Sequence, residues 1–576
     1  MLTQDLPRDW WKSAVVYQIY PRSFADSDGD GVGDLRGIIG RLDHLAALGV
    51  DVVWLSPVYR SPQDDNGYDI SDYQDVDPLF GTLEDLDELV AAAHDRGLRV
   101  VMDLVVNHTS DEHAWFLKSR AATDSPKRDW YHWAPPRPGH VGGQPGAEPS
   151  NWGSFFSGSA WEWDEATGEY YLHLFSRKQP DLNWENPQVR EAVYAMMRWW
   201  LERGVDGFRM DVINLLDKPE GYPDGQVPPD GLWGDAFSMV ATRPKVHEHL
   251  QEMYREVFAD HPRAFLTVGE MPGVTIEQAR LFTDPARREV DMVFQFEHVD
   301  LDSGPGGKFD VAPLSMPRLR ENLMAWQTGL ADLGWNSLYW DNHDQPRAVS
   351  RFGDDDEVWR SRSARTLATV LHLMRGTPYV YQGDEIGMTN VGFTAPEQFR
   401  DIESVNYLAE QTATGRTVEE VLPGLSFKSR DNARTPVQWT AGRHAGFTTG
   451  EPWIAVADNH HTEINAESQV GVQGSVFEHY RDLIALRHDE TAVAHGDVEP
   501  LAADHPDLWA YARRHEGTEL LVLASFTRET LTVPPGLLEG WAGAEVLVPT
   551  SSEAARSVLA DGTLPGWESL VLRRVR

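Results

Sequence analysis

The sequence predicts an α/β fold: a closed (β/α)8 TIM barrel with an inserted subdomain after its third strand and a C-terminal all-β sandwich domain. Three observations lead there. Eight short β-branched runs recur over the first two thirds of the chain, most followed by a segment of helix length. The runs are apolar almost throughout, the pattern of strands buried on both faces of a parallel sheet. Near the C-terminus the texture changes to short strands separated by turn residues.

The eight runs are residues 15–21 (VVYQIYP), 51–57 (DVVWLSP), 98–107 (LRVVMDLVVN), 205–212 (VDGFRMDV), 264–270 (AFLTVGE), 291–297 (DMVFQFE), 336–344 (NSLYWDNHD) and 377–382 (TPYVYQ). Helix patterns stand at 42–48 and 83–95, ahead of the second and third runs. The third unit is interrupted. The stretch from Asn107 to Trp184 is too long for an ordinary βα loop, is rich in Pro and Gly at 134–149, and holds a strand-like piece at 170–175. It reads as a subdomain over residues 107–180, with the barrel at 1–106 and 181–490. A second long loop is expected from Ile386 to about Leu422. Beyond a helix pattern at 479–487, strands at 508–513, 520–526, 531–533, 546–548 and 570–575 mark a separate domain over 491–576. No internal repeat of the solenoid or propeller kind is visible.

Composition excludes several functions. The 576 residues carry 51 Lys+Arg against 90 Asp+Glu, a net charge of −39. A polyanion of this strength is a poor partner for nucleic-acid phosphates or anionic membranes. There is no cysteine, hence no disulfide framework, thiolate nucleophile or Cys-based zinc site. A hydrophobic fraction of 41% with 24% charged residues is ordinary for a globular protein. Residues 1–11 contain Asp5 and Asp9 and no apolar core, unlike a signal peptide. No run approaches the ~18–20 apolar residues of a membrane span. A soluble, cytoplasmic protein is expected, as a monomer or homodimer. Only 8 of the 51 bases are Lys, which fits either codon composition or salt adaptation.

The polar residues at the strand ends carry the functional reading. Catalytic groups of such barrels come from the C-terminal ends of the strands. The second run leads to Asp64, Asp65 and Tyr68. The third ends in Asp103, Asn107 and His108, the fourth in Arg209 and Asp211, the fifth in Glu270, the seventh in His343 and Asp344. Carboxylates converging on one rim suggest glycoside chemistry, which needs one protonated and one ionised acid. Arg209 lies two residues before Asp211, so in a strand both face one side. That marks Asp211 as the ionised member and Glu270 as the acid. Asp344 could bond sugar hydroxyls and raise the Glu270 pKa by repulsion. Asp103 is expected to orient Arg209. His108 reads equally well as a satisfied buried histidine. A catalytic zinc fails on pattern, since there is no HExxH.

At these residues the chain resembles the α-amylase family of glycoside hydrolases. DLVVNH (Asp103 to His108), GFRMD (Gly207 to Asp211), Gly269-Glu270 and NHD (Asn342 to Asp344) match its four sequence regions in order. Within it, the chain looks like the oligo-1,6-glucosidase group. QPDLNW (179–184), WWKSAVVYQIYPRSF (10–24), VGEMPG (268–273) and SRDNARTP (429–436) carry that likeness. The resemblance implies a retaining double displacement. Asp211 would attack the anomeric carbon, Glu270 would act as acid and then base, and Asp344 would stabilise the transition state. His108, Arg209 and His343 would complete the −1 subsite, with Tyr68 stacking on the glucose. Asp65 and Arg430 would pair to close the pocket floor, giving exo-action at a non-reducing end. Phe175 would lie near the −1/+1 boundary. Val212 would go with α-1,6 preference, although it also reads as a plain strand residue. The substrate would be a small oligosaccharide such as isomaltose, with transglucosylation open to the same intermediate. Alternatives are α-1,4 preference on maltose or sucrose, and sucrose isomerisation. The isomerases carry an Arg-rich loop after strand six, where this chain has EHVDLDS (297–303).

A different site is suggested after the first run. Asp26, Asp28, Asp30 and Asp34 alternate along a loop, copying an EF-hand up to its ninth position, with Gly31 at the sharp turn. The twelfth position is Gly37 rather than Glu, so the motif is not a full EF-hand. Four carboxylates at this spacing repel unless a cation neutralises them. A structural Ca2+ or Mg2+ is expected, with the Val32 carbonyl as a further ligand. No organic cofactor is expected.

Overall fold

The computed structural model describes residues 7–228 and 231–575. Of the N-terminal stretch read above as lacking a leader, residues 1–6 lie outside it. Eight parallel strands form the barrel: β1 (Val16–Ile19), β2 (Val52–Leu55), β3 (Arg99–Leu104), β4 (Gly207–Met210), β5 (Leu266–Glu270), β6 (Met292–Phe294), β7 (Ser337–Leu338) and β8 (Thr377–Tyr381). They pair in the order β6-β5-β4-β3-β2-β1-β8-β7. A single bridge between Val293 and Asn336 joins β6 to β7 and closes the ring. β1, β2, β4, β5, β6, β7 and β8 are buried throughout, as near-continuous apolar runs require.

All eight runs coincide with barrel strands, but the strands are shorter than the runs. β4 stops at Met210, so Asp211 and Val212 lie beyond it rather than within it. The reason is local: Val212 adopts φ +35°, a left-handed conformation that ends the strand and opens a 3-10 turn at Ile213–Leu215.

The outer helices start where the sequence supplies caps. The helix Leu83–Asp95 opens with a capping box of Thr82 and Asp85. Pro187–Glu202 has the Asn186 side chain as cap and Pro at its first position. Val476–Asp489 is capped by Ser475.

Between β3 and β4, Trp133–Ala134, Trp161–Asp164 and Glu169–Leu172 form a three-stranded antiparallel sheet with the last strand central. Its own apolar cluster includes Trp152, Trp161, Tyr170 and Leu172, and it takes in Val212 and Leu215 from beyond β4. The C-terminal part pairs Asp497–Leu501, Leu508–His515, Thr518–Ser525, Ser569–Val575 and Glu545–Val546 in that order as an antiparallel sheet. Leu531–Thr532 and Thr563–Leu564 form a second, two-stranded sheet, and Ser552–Asp561 is a helix.

One expectation is corrected. The segment after β8, expected as a long loop, folds into the helices Ile402–Ala413 and Val418–Lys428. The second contains Pro423 in its interior, which masks it in sequence.

Candidate active site

The residues flagged at the strand ends do converge at the C-terminal rim. Arg209 lies at their centre. Its Nη1 donates to Asp103 at 2.7 Å and to Asp211 at 2.6 Å, and its Nη2 lies 2.6 Å from Glu270. The alternation along β4 had assigned this arginine to Asp211 and Asp103; the fold adds Glu270. Asp103 also accepts from Trp54 Nε1 at 3.0 Å and from the Tyr68 hydroxyl at 3.2 Å. Fully buried and so engaged, it orients Arg209 rather than facing a ligand.

Glu270 accepts a hydrogen bond from the Val212 backbone at 3.0 Å. The left-handed turn at Val212 is what aims that N–H at the carboxylate. Burial pushes the Glu270 carboxyl up to about 8; Arg209 opposes this, while Asp211 and Asp344 add to it. Burial also raises Asp211, against the pull of Arg209 and of a hydrogen bond from Glu270. The two carboxyls are therefore adjacent, Glu270 donating a hydrogen bond to Asp211. The adjacency suits a nucleophile paired with an acid better than two groups separated by a water.

Asp344 is the most open of the three, with a quarter of its side chain exposed. Burial would raise its pKa, but His343, Arg430 and Arg434 hold it well below the usual carboxylate range. Arg434 Nη2 donates to it at 2.9 Å and Arg430 Nη1 at 3.4 Å. His343 is itself neutral, its pKa lowered by burial to about 3. Gln18 Nε2 donates to His343 Nδ1 at 2.8 Å, which leaves the ring proton on Nε2, 3.4 Å from Asp344. The ring stacks on Tyr68 at 5.1 Å with 7° between planes.

Asp65 and Arg430 form the expected ion pair at 3.0 Å, both buried. Gln179 Nε2 donates to Asp65 at 3.1 Å and to the Tyr68 carbonyl at 3.2 Å. His108 is buried, neutral, and 3.1 Å from the Tyr68 carbonyl through Nε2. Phe175 packs 5.1 Å from His108 and between Phe155 and Phe156. Phe156 in turn lies 4.9 Å from the Arg430 guanidinium.

Two residues of this site were not singled out in sequence. Arg434 lies inside SRDNARTP, four residues after Arg430, so the motif held the signal. Asp401 binds both arginines, at 2.7 Å and 2.6 Å. It lies in the segment expected as loop, where nothing marked it.

The acidic loop gathers only part of its predicted set. Carboxylate oxygens of Asp26, Asp28 and Asp34 lie within 4.8 Å of one another, a donor set that suits a hard cation. Asp30 is not in the group; its carboxylate turns back to accept from the Val32 N–H at 2.8 Å. Gly31 at φ +97° is required, because a side chain there would strike the Glu451 carbonyl.

A model of the alpha amylase catalytic domain matches residues 18–496. The chain therefore belongs to the alpha-amylase family, and it is a glycoside hydrolase. An oligo-1,6-glucosidase of Bacillus cereus is 54% identical over 91% of this chain and 92% of its own. The crystal structure of a trehalose-6-phosphate hydrolase of Bacillus licheniformis is 44% identical, with a TM-score of 0.89, and covers 98% of this chain and 100% of that one. A trehalulose synthase of Pseudomonas mesoacidophila is 42% identical at a TM-score of 0.89, covering 99% and 100%. Among the described residues, no helix is long and apolar enough to cross a membrane.

Proposed function

We propose that the chain is a retaining, exo-acting α-glucosidase that cleaves terminal α-1,6 bonds in isomaltose and isomalto-oligosaccharides. The observation that carries the reading is the carboxyl pair on one guanidinium. Asp211, ionised beside Arg209, attacks the anomeric carbon. Glu270, protonated, delivers its proton to the departing oxygen, then takes one from water in the second step. Asp344 binds sugar hydroxyls and favours the positively charged transition state. The Asp65–Arg430 pair closes the pocket below Tyr68, so one glucose fits and the chain is trimmed from its end. A second sugar in place of water gives transglucosylation.

Linkage preference rests on Val212, whose side chain belongs to the apolar cluster of the inserted subdomain. The α-1,4 alternative differs at this position, and the isomerase alternative needs arginines after β6, where Glu297–Asp300 is a short acidic helix. A phosphorylated disaccharide, the substrate named for two relatives, needs an uncommitted cation at the rim. Lys308, Arg430 and Arg434 each lie within 3.0 Å of a carboxylate and are engaged by the chain itself.

The loop of Asp26, Asp28 and Asp34 is proposed to hold a divalent cation with a structural role. It lies on the β1 side, and no catalytic step passes through it.

The test is Asp211→Asn. Glucose release from isomaltose is expected to fall by about 10^4-fold or more, as when a residue acting as part of a catalytic unit is removed. Undiminished release would refute the assignment.

A further inference from the structure

We propose that Asp401 is a positioning residue of the reaction: it sets the two arginines that face Asp65 and Asp344. The inference rests on the glucosidase reading but concerns a residue that makes no contact with sugar.

Asp401 has no exposed side-chain surface. Its Oδ1 accepts from Arg430 Nε at 2.9 Å, and its Oδ2 lies 2.7 Å from Arg430 Nη2 and 2.6 Å from Arg434 Nη1. One carboxylate thus fixes the planes of both guanidinium groups. The same Arg430 Nη2 also reaches Asp65 at 3.0 Å and its Nη1 reaches Asp344 at 3.4 Å, while Arg434 Nη2 reaches Asp344 at 2.9 Å. Arg434 Nε also holds the His343 carbonyl at 3.1 Å, so the same clamp fixes the backbone just before Asp344.

The position of Asp401 is set from elsewhere. Its Oδ1 caps the helix Ile402–Ala413 by accepting from the Glu403 N–H at 3.0 Å. Its own N–H donates to Asp431 at 3.2 Å. Further along the helix, Glu403 pairs with Lys308 at 2.6 Å, Asn406 donates to the Phe156 carbonyl at 3.1 Å, and Glu410 accepts from Gly158 at 3.2 Å. One helix therefore joins the inserted subdomain, the strand Gly307–Val311 that carries Lys308, and the arginine pair.

The charges facing this cluster are Arg430, Arg434 and Lys308 against Asp65, Asp344, Asp401, Asp431 and Glu403. Without the Asp401 charge, both guanidinium groups turn toward their remaining anions, Asp65 and Asp344. Asp344 is then neutralised by arginine and less free for sugar hydroxyls. Its repulsion of the ionised Glu270 carboxylate also weakens, so Glu270 loses its proton at lower pH.

The experiment compares the parent with Asp401→Asn on isomaltose across pH. Asn keeps the shape and caps a helix as well as Asp, while it removes the charge and one of the two oxygens that accept from the arginines. The expected result is a fall in kcat/KM of about 10^2-fold, the scale of a small misplacement in an active site. KM should rise, and the alkaline limb should move to lower pH. Asp401→Glu, which restores the charge, should return the limb to its parent position. A merely structural role would lower Tm without moving the limb. Parent-like kinetics in Asp401→Asn, or a loss with the limb unmoved, would overturn the proposal. Should Asp401→Asn fail to fold, Asp401→Ser, which keeps a helix-capping oxygen without the charge, takes its place: a limb moved to lower pH supports the proposal, and an unmoved limb counts against it. An inactive parent would instead refute the glucosidase reading.

Discussion

Arg209 distributes one positive charge over Asp103, Asp211 and Glu270. Desolvation raises both the Asp211 and the Glu270 carboxyl, Glu270 to about 8. The sign of the pH dependence follows. The acid form of Glu270 is required, so kcat/KM is expected to fall as pH rises through about 8. The ionised form of Asp211 is required, so activity also falls at the acid side. A pH–rate profile checks both limbs. Glu270→Gln should remove the alkaline limb along with most of the rate, since the amide cannot titrate. Val212 shows a second kind of local work. A β-branched residue at φ +35° is strained by about 1–3 kcal/mol, and here the strain aims a backbone N–H at Glu270. The strand pattern could not reveal this, because φ is invisible in side-chain alternation.

The elements differ in how far sequence disclosed them. Each barrel run was legible because a strand buried on both faces must be apolar along its length. The helices Leu83–Asp95 and Leu42–Leu48 matched their expected spans, carried by leucines on one face. The helix Ile402–Ala413 was not legible. Of its residues only Ser404 is fully buried and Val405 is half-exposed, so its apolar stripe is thin. Val418–Lys428 was hidden by Pro423 and Gly424, and the glycine is needed where the Phe309 backbone comes close. Asp211, Glu270 and Asp344 were legible as polar residues ending apolar strands. Asp401 was not, because its importance comes from two arginines that the fold brings to it. The acidic loop was legible as spacing, while the turn that sends Asp30 away from its neighbours was not. At this scale a metal prediction belongs. Removal of divalent cations with a chelator should lower Tm, since a ligand at a hundredfold excess over Kd stabilises by about 2.7 kcal/mol. Thermal unfolding of the parent and of Asp28→Asn checks it. The variant should show a lower Tm and no further response to chelation. An unchanged parent Tm would exclude the cation.

At the scale of the whole molecule, the barrel does what no single motif can. It brings residues from β2, β3, β4, β5 and β7 to one rim, though Asp65 and Arg430 are 365 positions apart. The inserted subdomain covers one side with Phe156 and Phe175, and the helix Ile402–Ala413 ties that cover to the arginine pair. The acid surplus of the chain, net −39, excluded phosphate-rich partners but did not indicate chemistry. A handful of carboxylates placed by the fold did. The central claim is that this pocket releases one glucose from an α-1,6 linkage by hydrolysis. The measurement that tests it most directly is product analysis with isomaltose, maltose, sucrose and trehalose 6-phosphate side by side, with the first product followed by proton NMR. The expected result is α-glucose released first, with the highest kcat/KM on isomaltose. Preference for maltose or trehalose 6-phosphate, an isomerised disaccharide from sucrose, or β-glucose as first product would contradict it.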